Sequence, residues 1–482
     1  MTTTNLVRHR AIRLATTCVA LTALSACAAV GPNYKRPEMT PPPQFRGAES
    51  AAPASLADTP WWEVFDDPAL QKLVRESLAS NLDLKIASAR VLESRAVAGV
   101  AASFLYPTIG LGFGYSGQQV SRLGEPPLPK EDQPDRVYNN WPLTGALSWE
   151  IDLFGRIRRE KEAALARYVA TEEGRRAVIL TLVGDVTALY FLVRELDYEI
   201  EIARRTVVLN DETVAYYQRR LEGGVSNRLE VDQAKANRAV TASTIPDLER
   251  QRALAENALS VLLGRSPGGI EAGRAINEQR LPPAVPAGLP ATLLERRPDV
   301  VQAEQLLVAA NADVGAAKAL FYPSISLTGT LGSLSGSLVN ILRPEAIIWS
   351  IGAGLLQPIY NGGRIQSNFD ANQARYQGAL AQYQKAALNA YREVADSLIT
   401  IQKLAERRAE LQVGVDALRD ATQLARSRYD NGLSTYLEVL IADQQLFAQE
   451  LSLARAIGEQ LRAVSQLYRS LGGGWQQEDP KK

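Results

Sequence analysis

Apolar positions step along residues 182–207 in alternating fours and threes: Leu182, Val186, Leu189, Val193, Leu196, Ile200, Ala203 and Val207. A mean spacing of about 3.5 residues is the seam of coiled-coil packing. The stretch after Phe154-Gly155-Arg156 therefore reads as one helix to about Leu221, on the order of 100 Å long at about 1.5 Å per residue. Charges such as Glu160, Lys161, Arg194, Glu195 and Arg204 recur along it, so it stands in water and not in lipid. Gly223-Gly224 reverses it, and a return helix runs to Leu263-Gly264. Val394, Ile401, Leu404, Leu411, Val415, Leu418, Ala425 and Tyr429 repeat the register further on, interrupted by Ser397, Arg408 and Thr422.

A second period, of two, lies between the helical stretches. Ile109, Leu111, Phe113 and Tyr115 alternate with small or polar residues over 108–117, and Trp141, Leu143, Leu147, Trp149 and Ile151 do so over 141–152. The alternation returns at about 324–333 and 347–358, through Ile325, Leu327, Leu331, Trp349, Ile351 and Leu355. Strands of about ten residues with one apolar face and aromatics near their ends match transmembrane β-strands. A soluble hairpin shows the same alternation; the second copy and the leader weigh for the membrane. Gly112-x-Gly114-x-x-Gly117 formally matches a dinucleotide fingerprint, but it runs through a strand with no helix after it, so the phosphate-binding reading is set aside.

Both patterns occur twice. Gly224-Val225-Ser226-Asn227-Arg228-Leu229-Glu230-Val231 returns 208 positions later as Gly432-Leu433-Ser434-Thr435-Tyr436-Leu437-Glu438-Val439, and Leu263-Gly264 returns as Leu471-Gly472 at the same offset. Tyr106-Pro107 and Tyr322-Pro323 are instead 216 apart, which puts an eight-residue insertion in the first strand-to-strand loop, about 118–140; insertions belong in exposed loops. The chain thus divides into repeats at 61–266 and 291–474, with long hairpins at about 154–264 and 362–472, a Pro/Gly linker at 267–290 and a tail at 475–482. Trp61-Trp62 opens the folded part, and helices at about 67–80, 82–105 and 291–320 lead to the strands. Four strands cannot close a barrel, and open edges in lipid leave backbone groups unsatisfied at several kcal/mol each. Closure needs more copies: three give twelve strands, two give eight, about the practical minimum.

The N-terminus and composition narrow the chemistry. Residues 1–26 carry Arg8, Arg10 and Arg13 before an apolar run at 14–26, too short for a bilayer span and characteristic of a secretory leader. Leu24-Ser25-Ala26-Cys27 resembles a bacterial lipobox, which implies a covalent lipid on Cys27, and Ala28 in place of Asp favours sorting to the outer membrane. Residues 27–60, rich in Pro, Ala and Ser, read as a lipidated, extended tether. Cleavage removes His9, the sole histidine, and Cys18. Metal sites of His or Cys, Ser-His-Asp and Cys-His nucleophiles and structural disulfides are then excluded, and no cofactor is implied. With 53 basic and 53 acidic side chains, no nucleic-acid partner is indicated.

Gly31-Pro32-Asn33-Tyr34-Lys35-Arg36-Pro37 after the lipobox, the two Tyr-Pro junctions, Pro358-Ile359-Tyr360-Asn361-Gly362-Gly363-Arg364, Arg428-Tyr429-x-x-Gly432 and Leu471-Gly472-Gly473-Gly474-Trp475 together carry a resemblance over nearly the whole mature chain. In order and spacing they resemble the OprM/NodT-type outer-membrane efflux lipoproteins of the TolC family. The resemblance implies a mostly α protein with transmembrane β-strands: a homotrimer with a 12-stranded barrel on an α-helical periplasmic tunnel. It implies the passive exit duct of a tripartite pump, with a periplasmic adaptor and an inner-membrane transporter of the RND class, and not an enzyme. Gating in such channels belongs to the second-half hairpin tips. Glu438, six residues past Gly432, matches an acid of the constriction, and Tyr429 matches a gate-link tyrosine. Ile441 stands where a second acid often lies, with Asp443 two positions on; Asp430 replaces a basic residue. The candidate gate is therefore Glu438, Asp443, Tyr429 and Asp430, flanked by the turn glycines Gly224 and Gly432. These acids, and Glu230 and Asp232 of the first copy, equally suit the first turn of a helix, where the dipole favours them. A type I secretion or metal-efflux duct is the variant reading, although Met39 is the one methionine after the leader, poor ground for a soft-metal relay. A lipid-anchored coiled-coil spacer accounts for the lipobox and heptads but not for two inserted strand pairs.

Overall fold

The structure is a computed structural model that describes residues 29–48, 65–119, 137–280 and 290–473. The leader, Cys27, Trp61-Trp62, most of the first inter-strand loop, linker residues 281–289 and the tail lie outside the described residues. In chain order the elements are α1 (Pro68–Ser80), α2 (Leu82–Ser103), β1 (Thr108–Phe113), β2 (Ser116–Gln119), β3 (Val137–Ile151), α3 (Arg156–Glu222), α4 (Arg228–Leu262), α5 (Pro290–Arg296), α6 (Pro298–Ala319), β4 (Ser324–Ser335), β5 (Ile347–Leu356), α7 (Arg364–Asp430) and α8 (Tyr436–Ser470). Duplication is visible in the lengths: α3 and α7 have 67 residues each, α4 and α8 have 35 each. Contacts divide the chain into two units, the first from the described parts of Met1–Pro37, Leu92–Ala170 and Glu304–Gln382, the second from Glu38–Val91, Thr171–Ala303 and Tyr383–Lys482.

The first unit holds the strands. They form an antiparallel sheet in the order β1-β3-β4-β5, with β2 also paired to β3. β1 and β2 together make one strand line, interrupted at Gly114-Tyr115, so the first apolar alternation is two short strands and not one. The longest register runs from Trp141 opposite Ser335 to Ile151 opposite Ile325. Ile109, Leu111, Trp349, Ile351 and Leu355 are all exposed among the described residues and make an apolar face. β1 and β5 are the two free edges of the main path, and in hydrocarbon those edges require strands from other copies.

The tether is extended but seated. Val30 N–H donates to the Phe154 carbonyl at 3.0 Å. The buried Arg159 guanidinium donates to Asn33 Oδ1 at 2.7 Å and to the Val30 and Gly31 carbonyls at 3.4 Å each. Asn311 donates to the Pro32 carbonyl, and Arg36 pairs with Glu304 at 2.8 Å. Gly31 has φ +107°, and a side chain there would meet the Gly315 backbone at 2.5 Å, so the strap tolerates only glycine at this bend.

In the second unit the 3.5-residue seam of α3 is core. Leu182, Val186, Val193, Leu196, Ile200 and Ala203 are buried, with Tyr190 and Phe191 beside them. An 18-residue window of α3 reaches a mean hydropathy of 1.8, and 39% of it is buried in this chain. The seam of α7 is thinner. Val394, Val415, Ala425 and Tyr429 are buried, Arg408 donates to Gln460 of α8, and Thr422 is buried with its hydroxyl unpartnered among the described residues.

Candidate functional site

The hairpin tips begin with two identical caps. Gly224 and Gly432 have φ +71° and +73°. Val225 N–H donates to the Arg220 carbonyl and Leu433 N–H to the Arg428 carbonyl, at 2.9 and 2.8 Å, the six-to-one bond of a Schellman stop. No atom lies within 4 Å of where a side chain would start at either glycine, so the requirement is the left-handed backbone and not space. After the caps the copies diverge. Asn227 accepts from the Glu230 N–H at 3.1 Å and caps α4, whereas Thr435 makes no such side-chain bond to α8. An N-cap contributes about 1 kcal/mol, so the second tip is held less firmly by its own sequence.

What holds it instead is the first tip. Tyr217, Tyr429 and Tyr436 form an aromatic cluster with ring centroids 4.4–6.2 Å apart, closed by Val231, Ala234, Ala425, Val439 and Ala442. Tyr429 of α7 donates to Glu230 Oε2 of α4 at 3.1 Å. Tyr216 of α3 donates to Asp430 Oδ1 of α7 at 2.9 Å. Arg220 lies between them, donating to the Tyr216 hydroxyl at 2.9 Å. Its guanidinium carbon is 5.5 Å from the Tyr216 ring centroid and 5.2 Å from that of Tyr429, within reach of cation–π attraction. Burial pushes the Tyr429 and Tyr436 hydroxyls up to about 12, with Glu230 and Asp443 adding to it respectively. Both therefore remain donors at any physiological pH.

The acids are placed differently from one another. Glu438 is 53% exposed, and its nearest cation, Arg428 Nε, is 3.8 Å away; it is an open carboxylate at the first turn of α8. Asp443 is only 9% exposed and is tied to Arg426 of α7 at 2.9 Å. Burial raises its carboxyl above the ordinary range while Arg426 pulls it back. Asp443 thus joins the two helices of the second hairpin, and Tyr429 and Asp430 join that hairpin to the first. Sequence reasoning missed Tyr216 and Arg220, and it read Glu230 as a helix-start acid. A tyrosine and an arginine one turn apart were the available signal, since that spacing stacks them on one helix face.

Space separates α7 from α3 just beyond the cluster. A cavity of about 540 Å³ is lined by Arg205 and Leu209 of α3, Arg419 and Arg426 of α7, and Asp443 and Glu450 of α8. Glu450 receives Arg205 at 2.7 Å and Arg419 at 2.8 Å. At this level Arg205–Glu450 links the two hairpins, beside the apolar contact of Phe447 with the α3–α4 core.

A sheet with free edges, long paired helices and a polar-linked double tip define a membrane channel wall. The family model for outer membrane efflux proteins matches residues 73–265 and 289–473, and the chain belongs to that family. It is 35% identical over 470 residues to the cation efflux system protein CusC of Escherichia coli O6:H1 (strain CFT073), covering 95% of this chain and 98% of that one. It is 36% identical over 419 residues to the solvent efflux pump outer membrane protein SrpC of Pseudomonas putida, covering 86% and 87%. Among solved structures it is similar to the outer-membrane channel OprN, with a TM-score of 0.87 at 30% identity over 93% of this chain and 100% of that one. The open-state MtrE channel of Neisseria gonorrhoeae gives 0.84 at 29%, covering 93% and 99%. The chain is therefore an outer-membrane efflux channel protein with the TolC-type fold, and not an enzyme.

Proposed function

We propose that this channel is the exit duct of a tripartite pump. It passively conducts drugs or other small solutes delivered by a periplasmic adaptor and an inner-membrane transporter of the RND class. Its gate is the pair of hairpin tips: α7 and α8 move, α3 and α4 stay, and Tyr429–Glu230 with Tyr216–Asp430 hold the closed state. The hydrogen bond from Tyr429 to a carboxylate of the other hairpin carries this reading, because separating the tips must break it. Glu438 supplies the charge at the constriction. Three such carboxylates near one axis repel one another and attract cations. In planar bilayers, Glu438→Gln trimers are expected to lose at least half of the wild-type preference for potassium over chloride; unchanged selectivity would remove Glu438 from the constriction.

Cys27 is the proposed lipid attachment point. In the sequence only Ala28 and Ala29 separate it from Val30, the first seated residue of the strap. Mass spectrometry of the mature N-terminal peptide should find a diacylglyceryl-type adduct in wild type and none in Cys27→Ser. A metal-efflux duct is the second reading, favoured by similarity to CusC and to the probable outer membrane lipoprotein SilC of Salmonella typhimurium, 34% identical over 464 residues. Copurification of the crosslinked adaptor and transporter, followed by substrate profiling of that transporter, separates the two.

A further inference from the structure

Gly458 lies in the interior of α8, a helix of 35 residues, where glycine costs about 1 kcal/mol relative to alanine. Packing gives the reason. Glu195 of α3 directs its carboxylate to this spot, and a methyl group on Gly458 would overlap Glu195 Oε2. Glu195 is 7% exposed and accepts from Arg462 Nη1 of α8 at 2.5 Å. One turn on, Glu199 of α3 pairs with Arg455 of α8 at 2.8 Å. Glu459 of α8, held by Arg407 of α7 at 2.8 Å, completes the charged groups around Glu195. A glycine notch in one hairpin thus seats a carboxyl of the other.

We propose that Glu195 and Gly458 form a proton-operated catch that positions the second hairpin on the first, tight when the carboxyl is neutral and looser when it is charged. This rests on the reading that α7 and α8 are the moving pair. Burial is the main influence on Glu195 and pushes it up to about 7; Arg462 opposes this, and Glu199 and Glu459 add to it. Separation of the helices exposes the carboxyl, which returns toward its ordinary value of 4.5. The packed state binds the proton more tightly. Packing therefore gains stability as pH falls from about 7 toward 4.5 and loses it as pH rises through about 7. Asp185, Glu173 and Asp443 are raised by burial too, so a variant must isolate the part due to Glu195.

Full-length trimers in planar bilayers, recorded between pH 5 and 8.5, test the catch. Wild-type open probability is expected to fall at least threefold on acidification, with a midpoint near 7. Glu195→Gln, a neutral isostere, should hold the low value across the range. Gly458→Ala, which displaces the carboxyl, should keep the high value in acid. If Gly458→Ala fails to give a heat-stable trimer, Glu195→Gln alone decides. A Glu195→Gln profile that keeps the wild-type midpoint overturns the catch and leaves the moving-hairpin reading intact, provided Tyr429→Phe raises open probability. If Tyr429→Phe changes nothing at any pH, the moving-hairpin reading fails and the catch with it.

Discussion

Tyr429→Phe should open the channel. The substitution keeps the ring inside the Tyr217–Tyr436 cluster and removes only the hydroxyl that donates to Glu230. A hydrogen bond to a charged group contributes about 1.5–3 kcal/mol, and partial exposure of the Glu230 side places this one at the low end. Three copies act in each trimer, and about 1.4 kcal/mol is a factor of ten in an equilibrium. Open probability in bilayers is expected to rise at least tenfold. Tyr216→Phe, which removes the more exposed bond to Asp430, should raise it by a smaller factor, in line with surface polar pairs of about 0.5 kcal/mol. The two effects should not be additive in free energy, because Arg220, which donates to the Tyr216 hydroxyl and lies over the Tyr429 ring, couples them. A wild-type open probability in Tyr429→Phe would mean that the tips are not held by this bond.

The periods of the sequence made most of the fold legible. A 3.5-residue seam, a two-residue alternation and glycines needed at positive φ are local demands, and each leaves its mark within a few positions. The duplication made them readable twice. What stayed hidden was pairing across distance. Tyr429 and Glu230 are 199 positions apart, and Tyr216 and Asp430 are 214 apart; no period links them. The break at Gly114-Tyr115 was hidden for a different reason. Phe113 and Tyr115 continue the alternation, which fixes the face of a residue but not whether its backbone is paired. Likewise, Pro-rich composition makes the strap extended, but it is seated by Phe154, Arg159, Asn311 and Glu304, all more than 120 positions away. Nothing in the helical pattern around Gly458 marks it, because the residue it accommodates is on another helix.

Stability of the second unit is expected to depend most on Asp67, which is fully buried. Its carboxylate caps α1 by accepting from the Ala69 N–H at 3.0 Å. It also accepts from the Tyr190 hydroxyl of α3 at 2.5 Å and from Gln279 at 2.7 Å. Tyr190 in turn packs edge-on against Phe191, which meets Phe65 at 5.0 Å. Asp67→Ala removes a cap contributing about 1 kcal/mol and strands a buried hydroxyl at a further 1–3 kcal/mol. The loss should be about 3 kcal/mol per protomer, read as a lower dissociation temperature of the trimer on unheated gels and faster cleavage of α1 by trypsin. Asp67→Asn keeps one oxygen to cap α1 but puts an NH2 donor where Oδ2 accepts from Tyr190 and Gln279. The Tyr190 hydroxyl can turn to accept from it, so the loss should be smaller than for Asp67→Ala. Tyr190→Phe separates the contributions: it leaves the cap intact and relieves the hydroxyl of its need for a partner. If Asp67→Ala trimers dissociate at the wild-type temperature, α1 is not anchored to α3 through this carboxylate, and the aromatic contacts of Phe65 hold it alone.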